Sequence, residues 1–278
     1  MELNWLEGIL YGLFSGLTEI LPVSAYAHKL LMLKIFGETE EPALMALLIH
    51  LGVLAALYYA CQNHIIRILR AMRLARVPKR KRKRPLDTKS LMDFRLLRTM
   101  CIPVIVAFCF YNKLEPLRGN LIWMAVFVMI NGFILYLPQF FPGGNKDCRT
   151  LSRVEGLLIG LGGAITILPG TSGIAGATSV GSLCGEDRTY SLNMILLLGI
   201  GIVAGYVALD VIQLVSVGAG GIRFGTLVSY ILAAAAAFGG ATAGIKILRM
   251  MAPEVGFAPF GLYCWGVSLF TLVLNLVA

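Results

Sequence analysis

An apolar, glycine-spaced segment that contains a carboxylate and a proline is the feature that most constrains the fold of this chain. The segment runs from Glu7 to His28, with Glu19 close to Pro22 and with Ser24 after the proline. A proline ends or bends a helix because its ring blocks the turn and its nitrogen carries no hydrogen. In a membrane, a charged side chain at mid-depth costs about 2.5–3.5 kcal/mol on insertion scales. A carboxylate and an imidazole beside a broken helix therefore predict a buried polar site.

The same pattern returns in the second half of the chain. Residues 155–172 again begin with Glu-Gly, continue as a glycine-spaced apolar run and reach Pro169, which corresponds to Pro22. Chance similarity between two glycine-rich apolar runs is the alternative explanation. Paired, interrupted hydrophobic segments in corresponding halves of a chain indicate a binding site at the interface between two repeats.

The composition excludes an ordinary soluble domain. Of the 278 residues, 58% are hydrophobic and only 14% are charged, and the mean hydropathy is +0.79. Apolar runs longer than about 18 residues predict membrane-spanning helices rather than the alternating pattern of a β-barrel. The first apolar run carries the repeat and has no basic stretch before it, so we expect it to belong to the mature fold rather than to a cleaved signal.

Three basic segments predict the orientation of the spans, namely residues 62–93, 142–153 and 246–253. Positively charged loops lie mainly on the cytoplasmic side, so we place all three there. Six spans then alternate without conflict, and the two broken segments enter the membrane from opposite sides. A nucleic-acid patch is the alternative reading of the charge, but a basic run beside membrane spans favours anionic lipid, here along residues 67–98, and no nucleic acid.

The predicted fold is an all-α polytopic membrane protein built as an inverted repeat, with one re-entrant helical hairpin and three transmembrane helices in each half. The first repeat, residues 1–141, is predicted to contain a hairpin at 5–36 and spans near 42–61, 95–111 and 120–141. The second repeat, residues 142–278, is predicted to contain a hairpin at 155–184 and spans near 190–214, 223–247 and 255–277. Backbone at the hairpin tips cannot face lipid, because each unpaired polar group is costly there. We therefore expect both tips to meet in one chamber.

The first tip supplies three candidate catalytic groups. Glu19 has the chemistry of a metal ligand, a general acid or base, or a positioning carboxylate, and its structural alternative is a cap on the broken helix. Ser24 and His28 are four residues apart and share a face if the segment is helical. A histidine there acts as a base toward a serine or donates to a phosphate, and its alternative is a satisfied core histidine.

The second tip has the composition of an anion site. Pro169 is followed by Gly170, Thr171, Ser172 and Gly173, and Thr178 continues the pattern. Free amides at the start of a helix bind anions through their unpaired N–H groups and the helix dipole. Tight packing of helices through small residues is the alternative. His50, which lies within a predicted span, is a weaker candidate.

At these motifs the sequence resembles the undecaprenyl-diphosphate phosphatase family, the bacitracin-resistance integral membrane proteins. Residues 19–24 followed by His28 resemble the first motif of that family, and residues 169–172 with 176–178 resemble the second. The resemblance implies an inverted repeat with two re-entrant hairpins in the bacterial cell membrane. It also implies an outward-opening site that removes the terminal phosphate of a C55 polyprenyl diphosphate, usually with a divalent cation such as Mg²⁺.

Four positions depart from the family pattern. The family has an acidic residue where Ser15 stands, serine where Ala25 stands, and arginine where Gly173 and Cys264 stand. Two arginines and a carboxylate are charged parts of a diphosphate clamp, and removing one positioned donor costs about 10²–10³ in rate. The departures therefore predict slow or altered hydrolysis.

Three functions follow from these motifs. The first is a slow polyprenyl-diphosphate phosphatase, with Glu19, Ser24 and His28 as catalytic groups, Glu19 as the candidate Mg²⁺ ligand, and the 170–173 segment with Thr178 binding phosphate. The second is a non-catalytic transporter or flippase of a polyprenyl monophosphate lipid, which needs less positive charge. The third is a lipid-binding paralogue that does neither. A second copy of the chain is a further candidate partner.

Overall fold

The computed structural model describes residues 4–141, 143–218, 224–254 and 256–277, and this part of the chain is helical apart from its connections. The α-helices, in chain order, are α1 Trp5–Ile20, α2 Ala25–Ile35, α3 Ala43–Ala75, α4 Thr88–Phe108, α5 Leu121–Tyr136, α6 Arg153–Ala164, α7 Gly173–Leu183, α8 Arg188–Val217, α9 Phe224–Glu254 and α10 Ala258–Val277. Short 3₁₀ turns lie at Lys79–Lys81, Tyr111–Leu117, Leu137–Phe140 and Ile165–Ile167. The predicted repeat boundary at Pro142 and the predicted span starts at 223 and 255 lie outside the described residues.

Among the described residues, five segments are long and apolar enough to cross a membrane. They are Ala43–Ala75, Leu121–Phe140, Arg188–Val217, Phe224–Met251 and Ala258–Leu276. Helix α4 and the turn Tyr111–Leu117, which bends from it by 56°, together also meet the length and hydropathy of a span, as a broken crossing or a re-entrant element. The prediction of an all-α polytopic membrane protein is confirmed.

Both predicted breaks are present. Helices α1 and α2 have 16 and 11 residues, and α6 and α7 have 12 and 11. At about 1.5 Å per residue none of them is long enough alone for a hydrocarbon core of about 30 Å. In the second pair α7 folds back on α6, because the backbone of Gly176 lies directly against Gly162. A side chain on either glycine would prevent this approach.

Helices α1 and α6 begin in the same way. Glu7 and Glu155, which occupy corresponding positions in the two similar sequence segments, each close a capping box, with Asn4 and Ser152 as the N-caps of α1 and α6. A capping box satisfies two N–H groups that a helix start leaves unpaired. Helix α1 then packs along α9, and α6 packs along α4 in the corresponding position. Helix α3 packs on α8, and α5 packs on α10.

The basic segment is more helical than the sequence suggested. Helix α3 continues to Ala75, past the predicted span end at 61, and α4 begins at Thr88. The extension persists because Ile68 and Ala71 keep one face buried beyond the apolar span. The non-helical part of the predicted 62–93 loop is therefore restricted to residues 76–87, apart from the short turn within it.

Candidate functional site

A polar cavity of about 220 Å³ lies where the two broken pairs meet the long helices. It is enclosed by the end of α1, the start of α2, the N-terminal half of α3, the middle and C-terminal part of α8, and the Pro169 break. Its charged and ring-bearing lining consists of Glu19, Lys29, Glu41, His50, Tyr111, Arg118, Tyr206 and Asp210. Ionisable groups at this depth in an apolar fold mark a functional site, because lipid would otherwise exclude them.

Asn131 ties the two helix breaks together. This α5 side chain is fully buried, and its Nδ2 donates to the carbonyl of Pro22 at 2.9 Å. Its Oδ1 accepts from the backbone N–H of Ser172, also at 2.9 Å. One amide thus satisfies a free carbonyl from the first break and a free N–H from the second, which fixes both breaks in the protein interior.

The residue directly before α2 and the residue directly before α7 are both serines, and each caps the helix that follows it. Ser24 accepts from the N–H of Ala27, and Ser172 accepts from the N–H of Ala175. Ser24 does so from a left-handed backbone conformation, with φ +69°, which non-glycine residues seldom adopt. Such strain persists only where the surroundings fix it, and here Ser24 is completely buried.

Lys29, His50 and Asp210 form a hydrogen-bonded chain across the cavity. Lys29 Nζ lies 3.0 Å from His50 Nε2, and His50 Nδ1 lies 2.5 Å from Asp210 Oδ2. An ammonium group has donors only, so His50 Nε2 must accept. The proton of the neutral ring is therefore on Nδ1, from which it is donated to Asp210. Lys29 also pairs with Glu41 at 3.7 Å.

Arg118 brings a second cation to the cavity. Its guanidinium carbon lies 3.2 Å from the centre of the Tyr111 ring, and Nη2 donates to the carbonyl of Ile167 at 3.4 Å. The neighbouring Gly119 N–H donates to Tyr26 Oη at 2.8 Å, which anchors this connector to α2. No carboxylate pairs with Arg118 in the part of the chain that the structure describes. Its remaining N–H groups are free for an anion.

Tyr206 closes the cavity beside His50. The two rings stack with centroids 5.4 Å apart, and Tyr206 Oη donates to the carbonyl of Thr166 at 2.7 Å. Helix α8 is thereby fixed to the end of α6, and the His50 ring is held between Tyr206 and the hydrogen bonds of its two nitrogens.

Four of the predicted site residues line this cavity: Glu19, Thr171, Ser172 and Gly173. The Glu19 carboxylate is close enough to Lys29 to interact with it electrostatically, yet it makes no hydrogen bond or ion pair within the described residues. Thr171 donates to the carbonyls of Ile165 and Leu168, which holds the break in shape.

Ser24 and His28 lie beside each other, outside the cavity lining. His28 Nδ1 donates to the Ser24 carbonyl at 2.7 Å, which leaves Nε2 as the acceptor for Tyr263 Oη, also at 2.7 Å. The two rings are nearly parallel. The structure thus pairs Ser24 with His28 outside the cavity, whereas Glu19, at the end of α1, lines the cavity together with the second break.

Gly170 and Thr178 have other surroundings. Gly170 has φ +106°, and an added Cβ would lie 2.6 Å from the carbonyl oxygen of Met124, so both its conformation and its contact with α5 require glycine. Thr178 donates to the carbonyl of Ile174 at 2.6 Å and faces a separate small cavity near Glu186.

The donor set does not form a protein cage for a divalent cation. Among the described residues no group of three or more His, Cys, Asp or Glu side chains could hold a metal ion. Glu41 and Asp210 already engage Lys29 and His50. Mg²⁺ is commonly held by one or two carboxylates together with substrate phosphates, so Glu19 fits a cation that a diphosphate brings with it rather than a resident ion.

Sequence reasoning missed Lys29, Arg118 and Asp210. An Asp within an apolar span is a signal that was available for Asp210, because such residues seldom face lipid. Lys29 was not predicted because the motif is centred on its neighbour His28. Arg118 lies in a short connector, and only the folded chain shows that this connector turns back over the cavity.

This architecture defines a class: polytopic membrane proteins in which two broken helical hairpins and their partner helices enclose one polar cavity. Within that class, the chain belongs to the bacitracin resistance protein BacA family, which it matches over residues 8–270. The family resemblance seen in the sequence is confirmed.

Curated relatives cover nearly the whole chain. The undecaprenyl-diphosphatase of Methanobrevibacter smithii is 30% identical over 277 residues, which is 95% of each chain. The undecaprenyl-diphosphatase of Chromohalobacter salexigens is 26% identical over 262 residues, covering 94% of this chain and 95% of its own. That of Desulforapulum autotrophicum is 25% identical over 277 residues, covering 98% and 99%.

Proposed function

We propose that this membrane protein is a polyprenyl-diphosphate phosphatase, which hydrolyses undecaprenyl diphosphate or a similar C55 lipid to the monophosphate at the cavity beside Glu19. The family and its curated relatives support the reaction class. One observation in the structure carries the assignment to this cavity: Lys29 and Arg118 line it together with Glu19 and the Pro169 break. A buried diphosphate needs such cations and amides to balance its charge.

Each group has a distinct task in this proposal. Arg118 binds the terminal phosphate with its free N–H groups, and Lys29 supplies a second positive charge. Gly173 lies at the start of α7, whose N–H groups and dipole favour an anion. Glu19 takes a proton from water as the water oxygen attacks the terminal phosphorus. The bond to the bridging oxygen breaks, which releases inorganic phosphate and leaves the monophosphate lipid.

Glu19, together with the substrate phosphates, would hold a divalent cation such as Mg²⁺, which would supply positive charge against the developing negative charge. Ser24 and His28 stay predictions as catalytic groups. Their present contacts place them next to the cavity wall rather than in it, and Tyr263 occupies His28 Nε2. In the same proposal, Thr171 and Ser172 form part of the cavity wall where the phosphates bind.

The orientation and surroundings are part of the proposal. Glu41 and Arg118 lie in or next to connectors at one end of the helical bundle, whereas the basic stretch follows the far end of α3. Positive charge favours the cytoplasmic side, so the cavity opens outward in the bacterial cell membrane, with residues 67–98 against anionic lipid. A homodimer is the proposed assembly.

Phosphate release from C55 diphosphate by purified protein in detergent with Mg²⁺ tests this function. We expect Glu19→Gln to lower the rate by about 10²–10³-fold, as for loss of a positioned transition-state group. The matched control is Glu40→Gln, an exposed carboxylate on the connector before α3, which should keep the wild-type rate. Wild-type release no higher than that of the Glu19→Gln, His28→Ala double variant would overturn the proposal.

Transport of a polyprenyl monophosphate is the second candidate, and the corresponding packing of the two halves favours it. Two equivalent halves around a site at mid-membrane suit alternating access. The distinguishing experiment measures movement of the lipid phosphate across proteoliposomes by the Glu19→Gln variant. Movement that persists when hydrolysis is lost supports transport, and its absence in the wild-type protein rules it out.

A further inference from the structure

A second polar cavity, of about 370 Å³, lies at the other end of the bundle. It is enclosed by the second half of α3, the start of α4 and the start of α8, and we call it the basic cavity. Its lining includes Asn63, His64, Arg67, Lys89, Ser90 and Asn193. His64 follows His50 by 14 residues on the same helix, which corresponds to roughly 21 Å. The basic cavity is therefore separate from the proposed hydrolytic site.

The carboxylates of the basic cavity are already occupied. Asp93, which is buried, accepts from His64 Nε2 at 3.1 Å and from Tyr190 Oη at 2.9 Å. Asp87 caps α4 by accepting from the N–H of Ser90 at 3.0 Å and from its hydroxyl at 2.7 Å. The Ser90 N–H, with a smaller contribution from Arg67, holds the pKa of Asp87 below its usual range. Both acids therefore act as internal acceptors.

The cations of the basic cavity are not used in this way. Arg67 and Lys89 have exposed side chains on opposite walls, one on α3 and one on α4. Neither side chain makes a hydrogen bond or an ion pair within the described ranges. His64 lies beside them in the lining, and Asp93 holds its ring through Nε2. An arginine, a lysine and a histidine around one opening form a recess suited to an oxyanion.

The surroundings bring anions to this opening. The basic run from Lys79 to Arg84 follows α3 directly, and its positive field attracts anionic groups at the membrane surface. We propose that the basic cavity binds a phosphate group, either the phosphodiester of an anionic lipid headgroup or a soluble phosphate. Arg67 and Lys89 bind its oxygens directly, and Asp93 orients His64 toward them.

A matched pair of double variants tests this site in nanodiscs. The Arg67→Gln/Lys89→Gln variant removes two charges from the cavity walls, whereas Arg73→Gln/Lys81→Gln removes two exposed charges outside it. The midpoint of thermal unfolding is measured as phosphatidylglycerol replaces phosphatidylcholine. We expect the cavity variant to need at least about tenfold more phosphatidylglycerol for the same rise, as for loss of one charge-assisted bond. The control should stay within about twofold of wild type.

The source of the phosphate is resolved by a second titration. Inorganic phosphate is added to protein in discs of phosphatidylcholine alone. A saturable rise that the cavity variant lacks assigns the site to soluble phosphate. A rise seen only with phosphatidylglycerol, and again lost in the cavity variant, assigns it to a lipid headgroup. Equal responses of the two double variants in both titrations would show general surface attraction and overturn the proposal.

Discussion

Lys29 on α2 donates a hydrogen bond to His50 on α3, with Nζ 3.0 Å from Nε2. Through His50 the bond continues to Asp210 on α8, so the first broken pair is connected to the second half of the chain. The ammonium group of Lys29 and the carboxylate of Asp210 are both largely buried. Each therefore depends on the other, since an unpaired charge in this environment is strongly unfavourable.

We predict that Lys29 and Asp210 are energetically coupled. Lys29→Met should lower the free energy of unfolding by about 3 kcal/mol, because it leaves buried carboxylates without their cation. The Lys29→Met/Asp210→Asn double variant should lose less than the sum of the two single losses. Thermal unfolding in one detergent gives all three values, and Lys34→Met, an exposed lysine on the same helix, is the control. Strictly additive losses would contradict the coupling.

The fold could be predicted from the sequence because the patterns that indicate it are local. A proline that follows an apolar run ends or bends a helix, and the two similar sequence segments predicted one such break near Pro22 and another near Pro169. Glu7 and Glu155 occupy corresponding positions in the two similar sequence segments, but their capping role is seen only in the structure. The extension of α3 to Ala75 was missed because charged residues on its outer face hide the buried face beneath them.

The site residues could be predicted only in part, because their positions depend on helix phase and on contacts between distant parts of the chain. Neighbouring residues on a helix point about 100° apart, so a motif centred on His28 does not reveal that Lys29 enters the cavity. The missing arginine at Gly173 predicted a weakened clamp, yet Arg118 brings a cation to the same cavity from a connector. Its position depends on the Tyr111 ring and on no sequence pattern near either break.

Arg118 is predicted to bind the transferred phosphate. Arg118→Gln should lower phosphate release by about 10²–10³-fold, because a positioned donor to the transition state is lost. Lys113→Gln is the matched control, since Lys113 belongs to the same turn but lies over the Phe110 ring and away from the cavity. Rates are measured with C55 diphosphate in detergent. If both variants release phosphate equally well, Arg118 has no part in the reaction.

Asn131 is predicted to be the main polar bond between the two breaks. Asn131→Ala leaves the Ser172 N–H unpaired and leaves the Pro22 carbonyl with only the weak thiol donor of Cys264, at 3.9 Å, in the interior, at about 1–3 kcal/mol for each lost bond. The free energy of unfolding should therefore fall by about 2–5 kcal/mol. Asn193→Ala serves as the control, because Asn193 is exposed and bonds only within its own helix. A loss no larger than that of the control would show that the breaks are held by packing alone.

Glu186 is predicted to make stability depend on pH. Its side chain is 1% exposed, and both carboxylate oxygens lack a hydrogen-bond partner among the described residues. Burial, opposed in part by Ser191, raises the pKa of Glu186 to about 7. The folded form thus keeps its proton in a range where the unfolded chain has lost it, so stability is full below about pH 4.5 and declines as pH rises through 7.

The decline attributable to Glu186 should approach about 3 kcal/mol by pH 8 and level off above it. Unfolding midpoints between pH 5 and pH 8 in detergent measure it. Glu186→Gln should remove this part of the slope, and Glu40→Gln on an exposed connector should retain it. A wild-type profile that coincides with that of Glu186→Gln would show that the buried carboxylate does not titrate in this range.

Gly12 is predicted to set the distance between α1 and α9. An added methyl group at Gly12 would overlap the backbone of Ala233, and the equivalent Gly160 stands in the same relation to Met100 of α4. Gly12→Ala and Gly160→Ala should each lower the free energy of unfolding by about 1–3 kcal/mol, because backbone cannot move aside as a flexible side chain can. Gly239→Ala, at an open helical position on α9, should leave stability unchanged or raise it by up to about 1 kcal/mol. Unfolding of the three variants in one detergent makes the comparison, and equal stability of Gly12→Ala and Gly239→Ala would mean that α1 and α9 are not packed backbone to backbone.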